Sequence, residues 1–278
     1  MKKILLDTGA SQRGWSFYES FLRCPQLGAW KYLHNGGVAR SEVPNSEPLQ
    51  RGSLLHLMLA HHYAREIATA KGQDPDLYWT PHAAIEVLFD RGFDESYRHD
   101  CSTIFDAYLK HWVDDRWEPL YVEREIKLRF GASLYTMRLD FVVRDRYTKK
   151  IHFVDHKSSS KVDPSNITRY GLSGQFLGAT WAGMKLYGDD FGGVIINMLP
   201  SRSYGKLKFL RLALPAAPAA LQAFPKSIEH VDRILKRYES TPHDAWPRVF
   251  SEHTCVTSYG VCDFYAQCQW TQPTEEAT

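Results

Sequence analysis

The spacing of hydrophobic residues changes at about residue 119, and this change constrains the fold more than any other feature of the chain. Before it, apolar residues recur three and four positions apart, as at Ile85, Leu88 and Phe89, or four apart, as at Leu55, Leu59 and Tyr63, which is typical of amphipathic helices. After it, apolar and charged residues alternate over 122–130 and 137–143, which is typical of strands with one buried face. A helical N-terminal part followed by a sheet predicts an α+β fold.

Capping and turn signals refine this outline into a series of elements. Helices are expected over 16–33 with a bend at Pro25, over 51–71, within 81–118, over 170–187 and over 218–238. Strands are expected at 122–130, 136–143, 150–156, 192–199 and 206–213, with a loop at 35–50 and an irregular tail that turns polar from Thr271. We expect one domain over 1–278, made of a helical part (1–118), a sheet core (119–214) and a C-terminal helix with a cysteine-rich end (215–278).

The overall composition excludes several classes of protein. With 278 residues, of which 44% are hydrophobic and 24% charged, the chain is composed like an ordinary globular protein. Its net charge of +2 is small, so nucleic acid would have to be bound by a local basic groove. The sequence contains no run of about 18 apolar residues, and the apolar stretch after Lys3 is too short for a signal peptide. We therefore expect a cytoplasmic protein with no membrane partner.

A group of charged residues lies at the end of the third predicted strand. Asp155 and Lys157 are two positions apart, so in an extended strand they share one face, and Asp140 lies one hairpin upstream. Two carboxylates and an amine can hold a hard divalent cation and orient an attacking water. A buried strand that ends in a charged turn would give the same pattern, so the motif alone does not decide between these interpretations.

The order of elements and motifs resembles the PD-(D/E)xK nuclease superfamily, and specifically its RecB-like branch. The family's motifs occur here in order as His56 in an early helix, Glu123 opening the first strand, Asp140 on the second, Asp155 and Lys157 on the third, and Gln175 in the next helix. The resemblance covers nearly the whole chain. It implies a restriction-endonuclease-like core, in which helices flank a mixed central sheet.

The resemblance also implies a role for each residue at the centre of the site. Asp140, Asp155 and the backbone carbonyl of His156 would bind Mg²⁺ or Mn²⁺, because hard cations prefer oxygen ligands. His56 would complete the coordination sphere and favour Mn²⁺ alongside Mg²⁺. Lys157, as an ammonium ion, would orient the water or screen the phosphate.

Two further residues are assigned at the edge of the site. Gln175 would hydrogen-bond the nucleic-acid backbone or the lysine, and Glu123 would support the metal from outside or as an outer ligand. Glu125 competes with Glu123 for this role, and either could be an exposed strand charge. His56 is one of 12 histidines and could equally be a surface or core residue of its helix.

The cysteines are distributed unevenly, and their odd number, 5, is poor material for a disulfide framework. Iron–sulfur members of the RecB-like branch pair one cysteine before the nuclease core with three after it around a [4Fe–4S] cluster. By resemblance these would be Cys24, Cys255, Cys262 and Cys268. Four thiolates also bind zinc, and packing among aromatic residues is a further alternative for the tail. Cys101 is interpreted as a buried free thiol.

The chain is therefore interpreted as a bacterial or phage-like, metal-dependent DNA nuclease, expected to act as an exonuclease on single strands or DNA ends in recombination or DNA processing. The alternatives are a structure-specific or sequence-specific endonuclease on the same core and a cluster-bearing DNA-binding factor without hydrolysis. Phe17, Tyr18 and Trp30 are candidates for stacking on the bases of a single strand, although most aromatic residues in a chain with 13% of them belong to the core. The candidates for phosphate contacts are Arg23, Lys31, Arg51, Lys161 and Arg169.

Overall fold

A computed structural model describes residues 3–33, 46–215, 217–257 and 260–270 of the chain. These residues form two compact units. The first consists of 1–11, 41–126 and 137–221, and the second of 12–40, 127–136 and 222–278, within which only the residues given above are described.

Helices make up most of the chain outside the sheet. They are α1 (Trp15–Arg23), α2 (Pro25–Tyr32), α3 (Glu47–Ala70), α4 (Pro81–Asp90), α5 (Arg98–His111), α6 (Asn166–Tyr170), α7 (Gly174–Tyr187), α8 (Pro218–Arg237), α9 (Glu252–Cys255) and α10 (Tyr265–Trp270). Short 3₁₀ turns at Pro75–Leu77, Glu95–Tyr97 and Gly188–Asp190 precede α4, α5 and the fourth strand.

Five strands form one sheet, in the order in which they occur along the chain. They are β1 (Trp117–Phe130), β2 (Ser133–Asp145), β3 (Ile151–Ser159), β4 (Phe191–Pro200) and β5 (Leu210–Ala213), and a separate two-stranded sheet is formed by β6 (Val256–Thr257) and β7 (Gly260–Val261). β2 and β3 are antiparallel, β3 and β4 are parallel, and β4 and β5 are antiparallel. Parallel neighbours need a crossover connection, which α6 and α7 supply. The α+β fold with a mixed central sheet flanked by helices is confirmed.

The two faces of β3 meet different helices. Tyr63 of α3 stacks on Phe141 of β2 with ring centroids 3.9 Å apart, and His156 stacks on the same ring at 6.0 Å. α7 lies on the other face, where its Gln175 reaches Asp155. Gly183 allows α7 to approach β4 closely, since a Cβ at this position would overlap the ring of Phe191. The end of β3 is therefore placed between α3 and α7.

Most element predictions agree with the structure, and the differences have local causes. The bend in the first helix is a complete break, because Cys24 adopts an extended backbone (φ −163°) before Pro25, as residues preceding proline prefer. α3 begins at Glu47, inside the predicted 35–50 loop, since Pro48 is favourable in a first turn. Residues 34–45 and the polar end from Thr271 lie outside the described part.

The largest error concerns the C-terminal tail, which was predicted to be irregular. It contains α9, the β6–β7 pair and α10. These elements are only two to six residues long, too short to give a recognisable hydrophobic period. β5 is also shorter than predicted and begins at Leu210.

Cys101 is fully buried as a free thiol in the main core of the first unit, as predicted, and burial raises its pKa to about 12. Among the helices that the structure describes, none is both long enough and apolar enough to span a bilayer.

Candidate active site

Asp155 and Lys157 lie on the same face of β3, as the two-residue spacing predicts. Lys157 Nζ is 2.6 Å from Asp155 Oδ2, and the side chains are 27% and 14% exposed. The ammonium group also lies 5.6 Å from the centre of the Phe176 ring on α7. The lysine is thus held beside the carboxylate in a largely buried cleft.

Asp140 is fixed where the pairing of β2 and β3 ends. The register pairs run from Arg144–Ile151 to Phe141–Val154. Just past the last pair, the backbone N–H of His156 donates to Asp140 Oδ2 at 2.9 Å. The strand end therefore provides a backbone donor that orients the carboxylate.

His56 contacts both of these groups from α3. Its Nδ1 is 3.3 Å from Asp140 Oδ2, and its Nε2 is 2.6 Å from the carbonyl oxygen of His156. The structure thus brings together the four predicted metal ligands around the backbone of His156, although α3 is distant from the strands in sequence.

The site concentrates negative charge away from water. Burial raises the pKa of Asp155 to about 6 and outweighs the opposing effect of Lys157, while Asp140 raises it further. Burial also raises the pKa of Asp140, but His56, Lys157 and the hydrogen bond from the backbone N–H of His156 outweigh this, so its net shift is downward. Burial would lower the pKa of Lys157, but Asp155 and Asp140 raise it overall. Lys157 is therefore charged at neutral pH.

Glu123 is distinguished from Glu125 by its backbone and its surroundings. Glu123 lies in the left-handed region (φ 47°) within β1, a conformation that is uncommon for residues other than glycine. Burial and the proximity of Asp140 raise its pKa to about 9, whereas Glu125 is exposed. Of these two competing residues, Glu123 is thus the one beside the carboxylates.

Gln175 lies at the start of α7, where its Nε2 donates to Asp155 Oδ1 at 2.7 Å. The amide therefore binds the aspartate in this structure, whereas the sequence suggested the lysine or the nucleic acid as its partner. His156 points to the opposite face of β3, and burial lowers the pKa of its imidazole to about 3, so the ring is neutral.

The donor chemistry of this cleft suits a hard divalent cation. It offers two carboxylates, a backbone carbonyl and an imidazole close to the backbone of His156. A bound cation would reduce the electrostatic repulsion between the carboxylates of Asp140 and Asp155. As the side chains stand, Asp155 pairs with Lys157, and Asp140 with His56. Across the described ranges, no group of three or more His, Cys, Asp or Glu side chains is already arranged to hold a metal ion. Binding would require these pairs to rearrange.

The second unit brings four cysteines to one cavity of about 400 Å³. Cys24, Cys255, Cys262 and Cys268 all line it, together with Leu27, Trp30, Phe264 and Arg248. The N–H of Cys262 donates to the carbonyl of Cys255 at 2.8 Å, and Arg248 Nη1 donates to the carbonyl of Cys268 at 2.9 Å. Burial raises the pKa of Cys268 despite the nearby Arg248. Four thiols around one cavity match the donor set of tetrahedral zinc or a [4Fe–4S] cluster.

Several residues assigned to substrate contacts have structural partners instead. Phe17, Tyr18 and Trp30 are 5%, 0% and 3% exposed and pack in the second unit, so their assignment to base stacking is wrong. Arg51 is buried between Glu47 and Asp100, and its assignment to phosphate is also wrong. A high aromatic fraction in the sequence does not reveal which rings are exposed.

Three other residues that were named for phosphate contacts differ in their surroundings. The guanidinium of Arg23 donates to the carbonyl of Thr254, and this contact explains its position without a phosphate. Lys161 and Arg169 lie near the start of the crossover and are both exposed, and Arg169 has an interaction within the protein. Their contact with phosphate stays a prediction.

Comparison with known proteins agrees with this geometry. The family model of the PD-(D/E)XK nuclease superfamily matches residues 15–269. A crystal structure of a candidate exonuclease from Eubacterium rectale aligns with a TM-score of 0.56 and 14% identity over 99% of this chain and 96% of that chain, which is a likeness of fold.

A second structure, of the protein SSO0001, covers 65% of this chain and 74% of that chain at 12% identity, and its TM-score of 0.30 is too low to support an argument. No curated protein matches the chain. The family model covers nearly the whole length of the chain and includes every residue of the cleft between α3 and α7. The chain belongs to the PD-(D/E)XK nuclease superfamily.

Proposed function

We propose that this protein is a Mg²⁺- or Mn²⁺-dependent deoxyribonuclease that hydrolyses phosphodiester bonds in the cleft at the end of β3. The observation that supports this best is the convergence of Asp140, Asp155, Lys157 and His56 around the His156 peptide. These groups come from three separate elements: α3, β2 and β3. If β3 were only a buried strand that ends in a charged turn, there would be no reason for a histidine of α3 to contact the same carboxylate.

Each residue of the cleft has a defined task in this proposal. Asp140, Asp155, the carbonyl of His156 and His56 would hold the divalent ion, which would supply positive charge beside the phosphate and favour ionisation of the attacking water. Lys157 remains protonated beside Asp155 and can orient the attacking water or stabilise charge on the phosphate oxygens.

Two residues support this arrangement from its edge. Gln175 holds Asp155 through Oδ1 and so fixes the direction of the opposite oxygen. Glu123 lies next to Asp140, and its raised pKa makes it a hydrogen-bond donor at neutral pH.

We propose exonuclease activity on single strands or on DNA ends, in DNA processing or recombination. The resemblance of the motifs to the RecB-like branch supports this choice, and the fold is shared with a candidate exonuclease. A circular single-stranded DNA separates this proposal from an endonuclease, since an enzyme that requires ends leaves the circle intact.

We further propose that Cys24, Cys255, Cys262 and Cys268 hold a [4Fe–4S] cluster, with zinc as the alternative. Their arrangement around one cavity supports a shared ligand, and the free thiols suit a reducing compartment such as the cytoplasm. Iron and acid-labile sulfide in anaerobically purified protein would support the cluster. A colourless protein that contains one zinc ion would instead show that the four cysteines bind zinc.

The proposed nuclease is tested with end-labelled single-stranded and duplex DNA. Wild-type protein is expected to release labelled nucleotides with Mg²⁺ or Mn²⁺ and none with chelator, while Lys157→Ala is expected to be inactive and still folded. Inactivity of the wild type on every DNA form with both ions would favour a DNA-binding factor without hydrolysis.

A further inference from the structure

Three polar residues form a row across β3, β4 and β5. His156 is in register with Asn197, and Asn197 is in register with Arg211. Register partners on neighbouring strands project from the same face of a sheet. This face is opposite to Asp155 and Lys157, so the row lies directly behind the proposed metal site.

Hydrogen bonds connect the row to α5 and α3. Asn197 Nδ2 is 2.8 Å from His156 Nδ1 and 3.1 Å from the hydroxyl of Tyr108. The Tyr108 hydroxyl is in turn 2.8 Å from that of Tyr63 and 3.3 Å from Arg211 Nη2. Asn197 is completely buried and His156 is 2% exposed, so water cannot replace these bonds.

The far end of the network is fixed by Arg211. Its guanidinium lies 3.7 Å from the ring centre of Trp112 and 3.5 Å from that of Trp117, and it binds both oxygens of Asp115 at 2.8 and 2.6 Å. The guanidinium is therefore held by a bidentate ion pair and packed between two indole rings. These contacts restrict its orientation.

The direction of the hydrogen bonds follows from these donors. Arginine can only donate, so the Tyr108 oxygen accepts from Arg211 and from the amide of Asn197, and its own proton goes to Tyr63. The second hydrogen of the Asn197 amide then points at His156 Nδ1, which accepts it. The imidazole is thereby fixed with its proton on Nε2.

The near end of the network is the backbone of His156, which takes part in the site through two groups. Its N–H donates to Asp140 and its carbonyl faces His56, at 2.9 and 2.6 Å. Both groups flank the α-carbon that carries the imidazole, so a displacement of the buried ring that shifts this α-carbon would move the N–H and the carbonyl together.

We propose that Asn197, fixed by Tyr108 and Arg211, is a positioning residue that sets the His156 peptide and through it Asp140 and the carbonyl ligand. This inference rests on the proposed function and assigns a role to the hydrogen-bond network on the opposite face of the sheet from Asp155 and Lys157. Asn197 itself touches neither metal nor substrate.

The test is Asn197→Leu, which keeps the approximate size of the side chain and removes its donors. The dissociation constant of Mn²⁺ for the DNA-free protein, followed by the electron paramagnetic resonance of the unbound ion, is expected to rise about 10- to 100-fold. The KM for DNA at saturating Mn²⁺ should change little. The ¹⁵N signals of the His156 ring should shift from a single tautomer, protonated on Nε2, towards a mixture.

Two further variants separate positioning from general destabilisation. Ile85→Ala opens a cavity in the same core but carries no hydrogen-bonding group, so it should lower the thermal midpoint and leave Mn²⁺ affinity within about twofold of wild type. Tyr108→Phe removes only the hydroxyl that holds Asn197 and should weaken Mn²⁺ binding less than Asn197→Leu does, up to about tenfold. If Asn197→Leu does not fold, the Mn²⁺ affinity of Tyr108→Phe tests the positioning role instead.

The outcomes distinguish this proposal from the proposed function. A wild type that binds Mn²⁺ and cleaves DNA, with Asn197→Leu and Tyr108→Phe equal to Ile85→Ala in Mn²⁺ affinity, would overturn the positioning role alone. A wild type that neither binds Mn²⁺ nor cleaves DNA would overturn the proposed function and the positioning role with it.

Discussion

The carboxylate cleft and the cysteine cavity are assembled from the sequence in opposite ways. Asp140, Asp155 and Lys157 lie on two neighbouring strands, with Gln175 on the helix that follows, and they hold one another through ion pairs and hydrogen bonds. The cavity instead joins Cys24 to three cysteines after residue 250 and is surrounded by apolar side chains. The comparison suggests that the cleft is arranged for chemistry, whereas the cavity joins distant parts of the second unit.

A difference in energetics follows from the surroundings. In the cleft, burial and the neighbouring Asp140 act against the ionised form of Asp155, so its charge costs stability. In the cavity, four thiols that share one ligand would make the binding energy of that ligand part of the folding energy. Substitutions in the cleft should therefore affect activity first, and those in the cavity should affect stability first.

The largest expected effect is that of Asp155→Asn on activity. This change keeps the shape of the side chain and removes a proposed metal ligand, so cleavage should fall by at least about 10²- to 10³-fold. The thermal midpoint should remain close to that of the wild type, because the lost pairing with Lys157 is offset by the removal of a buried charge. Cleavage rates on end-labelled DNA test the loss of activity, and thermal melts test the unchanged midpoint. A large drop in the midpoint would contradict the expectation that substitutions in the cleft affect activity before stability.

The next effect is that of Cys24→Ser and Cys268→Ser on stability. Each removes one of four ligands from a single site, so both should lower the thermal midpoint similarly and reduce the bound iron or zinc. Cys101→Ser is the control, since Cys101 is buried in the core of the first unit and is not one of the four cysteines that line the cavity, so this change should leave the metal content unchanged. If Cys24→Ser retains full metal content while Cys268→Ser does not, Cys24 does not belong to the site.

A smaller effect separates Glu123 from Glu125 within the cleft. Glu123→Gln should reduce cleavage about tenfold, because it changes a group beside Asp140, whereas Glu125→Gln alters an exposed side chain and should leave the rate unchanged. The cleavage rates of the two variants are measured under identical conditions. Equal rates would show that Glu123 has no role in the proposed site.

The smallest effect is a dependence of stability on pH in the first unit. Burial lowers the pKa of His61 to about 4, while the unfolded value is 6.5. The neutral ring stabilises the fold fully above pH 6.5, and this contribution is lost as the pH falls towards 4, since the unfolded chain takes up the proton first.

His61→Gln can still accept the hydrogen bond that Leu6 N–H donates to Nε2 at 3.2 Å, but it does not titrate. Thermal melts between pH 7 and pH 4.5 should therefore decline less steeply for His61→Gln than for wild type. Equal slopes would assign the acid sensitivity to other groups.

The sequence predicted those parts of the site that depend on local periodicity. The alternation along β3 placed Asp155 and Lys157 on one face, and the order of motifs selected Asp140, His56 and Gln175, which the structure brings together. The choice between Glu123 and Glu125 could not be made, because it depends on a left-handed backbone that no spacing reveals.

Features that depend on tertiary contacts were missed or mistaken. The network through Asn197 requires the register of three strands and the position of Tyr108, and only a polar residue in an apolar strand, Asn197 between Ile196 and Met198, could have signalled it. Phe17 and Tyr18 were named as candidates for base stacking but are buried, because aromatic composition does not show which individual rings lie in the core.

The central claim is most directly tested by incubating end-labelled single-stranded DNA with Mn²⁺ and either wild-type protein or Asp155→Ala. The account predicts that the wild type degrades the DNA, that chelator stops the reaction, and that the folded variant is inactive. Equal cleavage by Asp155→Ala, or none by the wild type on single-stranded and duplex DNA with either ion, would contradict it.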